Sequence, residues 1–432
     1  MRTSKTKQIV NIEEFKRKLL SWAQHFDDVV WLDSNNYSQK YSNYDAVLAV
    51  DAFTAIQTDY HDAFGKLKEY QNNTNDWIFG YLTYDLKNDT ENLKSNNTDG
   101  LAFADLYFFQ PKKIFLVQGN TVTIKYLNAV DDELEIDLET IENYKSTINT
   151  QANTNIKIKL RTSKDDYFEK VAKMQWHINR GDIYEANFCQ EFYAENTTIN
   201  PIETYYKLNE ISQPPFAAFF KTNDKYLLSA SPERYIKKAG TKIISQPIKG
   251  TAKRESDAIL DNTLKHNLIT DQKERSENIM IVDLVRNDLS QTATKGSVEV
   301  EELCKVYSFK QVHQMISTVV SQVENTIDPI EVLKTTFPMG SMTGAPKISA
   351  MKIIETLEDA KRGLYSGSVG YITPENDFDF NVIIRSILYN ETQQYVSYSV
   401  GGAITAKSEP TSEYEECLLK AKAMRTVLEN NN

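Results

Sequence analysis

The chain has 432 residues, with 60 acidic against 49 basic side chains, a formal net charge of −11, 41% hydrophobic and 25% charged residues. This is a globular composition, and the length allows one large or two to three ordinary domains with a sizeable core. The acid excess speaks against nucleic acid, which needs a basic stripe, and no apolar run approaches the ~18 residues of a membrane span.

The basic start, Met1 to Lys7, runs into Gln8-Ile9-Val10-Asn11-Ile12-Glu13 without an apolar stretch or a small-residue cleavage site. A cytoplasmic protein is therefore expected. Cys189, Cys304 and Cys417 lie far apart and the five histidines are scattered, so neither a disulfide framework nor a thiolate metal site is indicated. Any metal is expected on oxygen ligands.

In chain order, Asp76 to Leu82 and Lys113 to Val117 read as short strands in an N-terminal portion, residues 1–154. Asn-rich segments punctuate it, and 149–155 marks its boundary with a core spanning 155–432. Asp165 to Arg180 has helical apolar spacing and Gly181 as its C′ residue. Phe216 to Phe220, Tyr226 to Ser229 and Lys242 to Ser245 read as strands. Gln272 to Leu289, Pro346 to Leu357 and Glu413 to Leu428 read as helices; Gly367 to Tyr371, Phe380 to Leu388 and Tyr395 to Val400 as strands. The class is α+β: mainly antiparallel sheets packed as a sandwich, with helices outside.

Several constellations could carry chemistry. In Pro247-Ile248-Lys249-Gly250-Thr251 the proline fixes φ and the glycine permits a tight turn, so Lys249 is presented by a rigid bend. It is either a solvated turn residue or a nucleophile, and a nucleophile needs its pKa of about 10.4 depressed by burial or a nearby cation. Glu274 with Glu277, and Glu413 with Glu416, each share a helix face. They suit either capping boxes (Asp271 to Glu274, Ser412 to Glu415) or, jointly, Mg²⁺. Gly340 to Lys347 offers amides and hydroxyls before a helix start, without the Gly-Lys-Ser/Thr ending of a P-loop. Arg385, in an apolar strand, needs a structural or a substrate carboxylate. Gly401-Gly402 offers either backbone N–H groups to an anion or a simple strand-end turn.

Taken in order, the segments from about 165 to 428 resemble the chorismate-utilising enzymes, the family of anthranilate, aminodeoxychorismate and isochorismate synthases. The resemblance rests on Gly181-Asp182, Ser231-Pro232-Glu233-Arg234, Pro247 to Thr251, and Glu274-x-x-Glu277 with Asp283 to Asp288. It continues through Gly340 to Lys347, Arg385, and Glu413-x-x-Glu416 with Lys420. The resemblance implies chorismate as substrate and Glu274, Glu277, Glu413 and Glu416 as Mg²⁺ ligands. Tyr365, Arg385, Gly401, Gly402 and Lys420 would hold the substrate carboxylates, with Thr251 and Ser341 as polar contacts. Lysine before Gly250 resembles the aminodeoxychorismate-forming branch, where anthranilate synthases typically carry alanine. There Lys249 would attack C2 as the C4 hydroxyl leaves, with Glu233 as general acid, and ammonia would displace it. None of the cysteines sits in a G-x-C-x-G turn, so ammonia is expected from a separate glutamine amidotransferase subunit.

The chain departs from the family at three places. Gln314, beside His313, stands where anthranilate synthases have histidine. Glu185 and Glu191 stand where relatives often have glutamine and arginine. Trp31-Leu32-Asp33-Ser34 is at best a remnant of the tryptophan-feedback motif. The alternatives are an anthranilate-forming enzyme and a non-catalytic chorismate-binding subunit.

Overall fold

The computed structural model describes residues 1–37, 39–144, 156–310 and 312–429. Two long antiparallel strands, Ala46–Thr58 and Leu106–Gln118, are shared by two sheets, and a register shift between Ala52 and Thr54 marks where they bend. The first sheet continues through Asp28–Asp33, Phe216–Thr222, Lys225–Ser231, Ser386–Asn390 and Tyr395–Ile404 to Glu185–Ala194. The second continues through Ile78–Leu82, Ser368–Ile372, Phe378–Val382, Arg234–Ala239 and Lys242–Gln246 to Val312–Gln322. Ile248–Lys253 and Glu299–Ser308 flank that last strand.

The period of two in the strands decides what lies between the sheets. Val29 and Trp31 point to a core shared with the helices Ile12–Ala23 and Pro201–Ser212, whereas Val30 joins the core between the sheets. Pro410–Glu429 also packs on the first sheet, and Gln272–Ser290 packs on the second. The expected sandwich with outer helices is the observed architecture. Residue 154 falls in a stretch, 145–155, outside the described residues, but strands from both sides of it pair within each sheet.

The expected strands recur, and so does the helix Lys164–Arg180, capped by the Ser163 side chain and ended by Gly181 at φ +89. Three local expectations are corrected. Phe380 to Leu388 is not one strand: Phe378–Val382 belongs to the second sheet and Ser386–Asn390 to the first, and the chain crosses over at Ile383–Arg385, with Arg385 at φ +52. Gly401 and Gly402 are not a strand-end turn, because the strand runs on to Ile404. Ser412 does not cap a helix, because that helix begins at Pro410. Ala258–Thr270 is a helix with no forerunner in the sequence reading. Ile259, Leu260 and Ile269 are exposed on it and Leu268 alone among its apolar residues is buried, so no apolar stripe existed to be read.

No helix among the described residues is long and apolar enough to cross a membrane.

Candidate active site

Both sheet crossovers deliver a functional side chain. The chain leaves the first sheet after Ser231 and enters the second at Arg234, which puts Glu233 in the corner between them. Arg385 occupies the other corner. The two crossings are bonded to the strands they face: the Glu233 carbonyl accepts the Val382 amide at 3.0 Å, and the Arg385 carbonyl accepts that of Ala230 at 3.1 Å.

Glu233 is 4% exposed and accepts a hydrogen bond from Ser341 Oγ at 2.7 Å. Burial pushes its carboxyl up to about 7, against the opposing pull of Ser341, the Lys249 charge and the Ile248 amide. A carboxyl poised there can give or take a proton near neutrality.

Lys249 lies on the edge strand Ile248–Lys253, next to Gly250 at φ +97. A Cβ at Gly250 would come within 3.2 Å of Glu274 Oε2 and of Met315 Cβ, and at that φ a side chain is strained in any case. Asn278, on the helix Gln272–Ser290, donates to the Lys249 carbonyl at 3.2 Å and to the Met315 carbonyl at 3.3 Å. The expected environment is corrected here. Burial lowers the lysine pKa, but Glu185, Glu277, Glu233 and Glu416 outweigh it and hold the ammonium above its ordinary value. The nearest charges are acids, not cations, so in this state the lysine is protonated.

Glu274 and Glu277 come from the helix on the second sheet, Glu413 and Glu416 from the helix on the first. Asp271 caps the former helix, accepting the amides of Lys273 at 2.8 Å and Glu274 at 3.0 Å. The two acidic faces meet through Lys273, whose ammonium lies 3.8 Å from Glu277 and 3.4 Å from Glu413. Burial pushes Glu277 up to about 7, opposed by Lys249 and Lys273, and its Oε1 is buried without a hydrogen-bond partner. As placed, no three acidic, histidine or cysteine side chains among the described residues converge on one point to hold a metal. The all-oxygen donor set fits Mg²⁺, and Glu277 Oε1 makes no hydrogen bond, its nearest cation being the Lys273 ammonium at 3.8 Å.

On the opposite wall, Arg385 makes no ion pair or side-chain hydrogen bond among the described residues. Burial lowers its pKa, against Tyr365 and Glu416. A half-buried guanidinium without a protein carboxylate can receive a ligand carboxylate. Tyr365 is buried beside Cys189, whose thiol donates to its hydroxyl at 3.7 Å. Lys420 pairs with Glu416 at 2.6 Å and donates to the Gly401 carbonyl at 2.9 Å. Gly402 lies between Glu413 and Lys420, and Gly401 packs directly over Cys189. Thr251 is exposed at the rim, in register with Gln314, whose Oε1 is buried and unpartnered.

Other motif residues have structural work. Arg234 is tied to Asp379 at 2.9 Å and Gln246 at 2.6 Å, and Asp288 to Lys347 at 2.6 Å. His313 bonds Asp261 and Ser308, facing away from Gln314 along the same strand. In the segment Trp31 to Ser34, Asp33 is paired to Lys16 at 2.9 Å and lines a shallow surface depression together with Arg234 and Asp379. The sequence reading assigned nothing to Lys273 and Asn278, which reach the site only because their helix docks there. Glu185 carried a signal, its departure from related sequences, but not its destination.

A buried acid, an acid-ringed lysine, two facing acidic helices and a guanidinium without an ion pair thus act on one another between the two sheets. Residues 27–426 match the family described as chorismate binding enzyme, and the chain belongs to that family. It is an enzyme of the chorismate-using class. Among curated relatives, it is 32% identical over 362 residues to aminodeoxychorismate synthase component 1 of Bacillus subtilis, covering 81% of this chain and 76% of that protein. It is 30% identical over 368 residues to anthranilate synthase component 1 of Aquifex aeolicus, covering 82% and 74%. Its fold is similar to that of anthranilate synthase component I from Streptococcus pneumoniae, with a TM-score of 0.79 at 24% identity over 90% of this chain and 93% of the other.

Proposed function

We propose that the protein is the chorismate-aminating subunit of an aminodeoxychorismate synthase, converting chorismate and ammonia to 4-amino-4-deoxychorismate on the way to 4-aminobenzoate and folate. The observation that carries this reading is Lys249, held in the cleft beside the buried acid Glu233. The aminodeoxychorismate synthase of Bacillus subtilis among the relatives supports it.

In this reading Lys249 attacks C2 of the ring while Glu233 protonates the departing C4 hydroxyl. Ammonia then enters at C4 and releases the lysine. Ser341 keeps the Glu233 carboxyl aimed, and its raised pKa keeps it protonated up to about neutrality. Arg385, with Tyr365, Lys420 and the backbone of Gly401 and Gly402, orients the substrate carboxylates, with Thr251 at the rim. Glu274, Glu277, Glu413 and Glu416 would hold Mg²⁺, which when bound offsets the charge of a carboxylate placed among acids.

Ammonia comes from a separate glutamine amidotransferase subunit. All three cysteines are buried, and burial pushes the Cys189 thiol up to about 12, the opposite of an activated nucleophile. The similarity to anthranilate synthase component 1 supports a second reading, formation of anthranilate. Product identification with chorismate, Mg²⁺ and ammonium separates the two. Aminodeoxychorismate is expected, and fluorescent anthranilate as the main product overturns the proposal.

A further inference from the structure

Arg362 and Glu358 have no part in the chemistry described so far, yet both are buried, at 6% and 7% exposure. They sit between the helix Lys347–Leu357 and the strand Ser368–Ile372 and meet as a fork. Arg362 Nε donates to Glu358 Oε2 at 2.9 Å, and Nη2 to Oε1 at 2.6 Å. The same guanidinium reaches two backbone carbonyls, Nη1 donating to that of Met342 at 2.6 Å and Nη2 to that of Asn187 at 2.7 Å. Glu358 Oε1 also accepts the Cys189 amide at 2.8 Å, and the centre of the Tyr84 ring lies 4.4 Å from Arg362 Cζ.

The two carbonyls belong to segments that run side by side. Gly344 is in register with Ala186 on the strand Glu185–Ala194, and the Asn187 amide donates to the Thr343 carbonyl at 2.7 Å. This approach requires a glycine, because a Cβ at Gly344 would lie 2.3 Å from the Glu185 carbonyl oxygen. The ladder stops there, since Gly340–Met342 is a 3-10 turn. Arg362 carries the join one residue further, to Met342, and the next side chain is Ser341, which donates to Glu233 at 2.7 Å. A buried ion pair adds little net stability, because desolvation offsets its attraction. What the planar fork supplies is a fixed geometry between the groups it bonds.

Resting on the reading of Glu233 as the acid, we infer that Arg362, held by Glu358, is a positioning residue for that acid. It fixes the turn that carries Ser341 against the neighbouring strand, and Ser341 aims the Glu233 carboxyl. The proton comes from Glu233 itself; Arg362 acts through Ser341. Lysine cannot replace it, because a single ammonium keeps the charge but loses the bidentate grip on Glu358 and the span across both carbonyls. Releasing the Met342 carbonyl lets the turn shift, and a misplacement of about 1 Å can cost about 100-fold in rate.

The test is a double-mutant cycle on the full chain: parent, Arg362→Lys, Ser341→Ala and the double variant. Initial rates of chorismate consumption are measured at saturating Mg²⁺ and ammonium. Arg362→Lys is expected to lower kcat at least about 10-fold with chorismate KM changed less than about threefold, and to cost less than about threefold in kcat once Ser341 is alanine. A merely structural role lowers kcat by the same factor in both backgrounds. The ratio of the two kcat losses therefore decides: above about threefold it supports the inference, and at about threefold or less, a loss confined to KM included, it overturns it. Thermal melts by circular dichroism come first. Where Arg362→Lys lacks a cooperative transition, Glu358→Gln, which keeps an acceptor for the Cys189 amide, takes its place under the same criterion. Consumption of chorismate does not depend on which product forms. A parent enzyme that releases anthranilate therefore sinks the proposed function, while the cycle still decides whether Arg362 acts through Ser341.

Discussion

Replacing Glu233 by glutamine separates its cost to the fold from its use in catalysis. The amide is nearly isosteric and its oxygen still accepts from Ser341, so the main change is loss of a titrating carboxyl. Burial lifts that carboxyl from 4.5 to about 7, so the folded state holds a proton that the unfolded chain has released between those values. Stability therefore falls as pH rises through this window, and above it the ionised, buried Glu233 costs about 3 kcal/mol. Glu233→Gln should be more stable than the parent at pH 8, by about 3–4 °C in Tm for a chain of this size, and no more stable at pH 4. Activity should move the other way. Loss of a general acid costs about 10²–10⁴-fold in turnover, or about 3–5 kcal/mol of barrier. The parent should also lose kcat/KM as pH rises through about 7, a limb absent from the residual activity of the variant. Scanning calorimetry at the two pH values and a pH–rate profile make the check. A variant that keeps a tenth of the parent rate, or gains no stability at pH 8, refutes the reasoning.

Lys249→Ala should abolish amination and any substrate-derived adduct on the protein in quenched turnover samples analysed by mass spectrometry; unchanged turnover removes the covalent step. Glu277→Gln should raise the Mg²⁺ concentration for half-maximal activity at least about tenfold, read from a metal titration of initial rates. An unchanged Mg²⁺ requirement speaks against the metal assignment. Arg385→Lys keeps the charge but loses the planar fork, worth about 1.5–3 kcal/mol, so chorismate KM should rise roughly 10- to 150-fold with the fold intact. Gly401→Ala places a Cβ 2.5 Å from Cys189 Sγ and 2.7 Å from the Phe188 carbonyl oxygen. It should lower the denaturant midpoint by the equivalent of about 1–3 kcal/mol.

Much of this was legible in the chain itself, because strand and helix periods, caps and turn residues are local. Gly181 ends its helix as expected, whereas the start lies one residue before the predicted Asp165, after the Ser163 cap, and Asp271 caps the first acidic helix as expected. The ordered motifs by themselves carry the resemblance to the family that residues 27–426 match. The cleft was less legible. Arg385 sits in a run of β-branched residues that reads as one strand, and only the choice of hydrogen-bond partners on either side reveals a crossing between sheets. Ala258–Thr270 buries Leu268 but leaves Ile259, Leu260 and Ile269 exposed, and so offered no apolar period to detect.

What the sequence alone determined is the α+β class, the helix ends at Gly181 and Asp271, and the presence of Lys249, Glu233 and the paired glutamates in family order. What only the tertiary structure decided is their electrostatic meaning. Lys249, expected to be depressed by burial or a nearby cation, is instead held up by Glu185, Glu233, Glu277 and Glu416, which come from a strand, a sheet crossing and two docked helices. Burial, not a neighbouring charge, is what lifts Glu233 toward neutrality. Local sequence specifies backbone conformation through interactions a few residues long, whereas a pKa depends on charges and solvent exclusion through space. Here those neighbours are brought together by two sheet crossings and two docked helices.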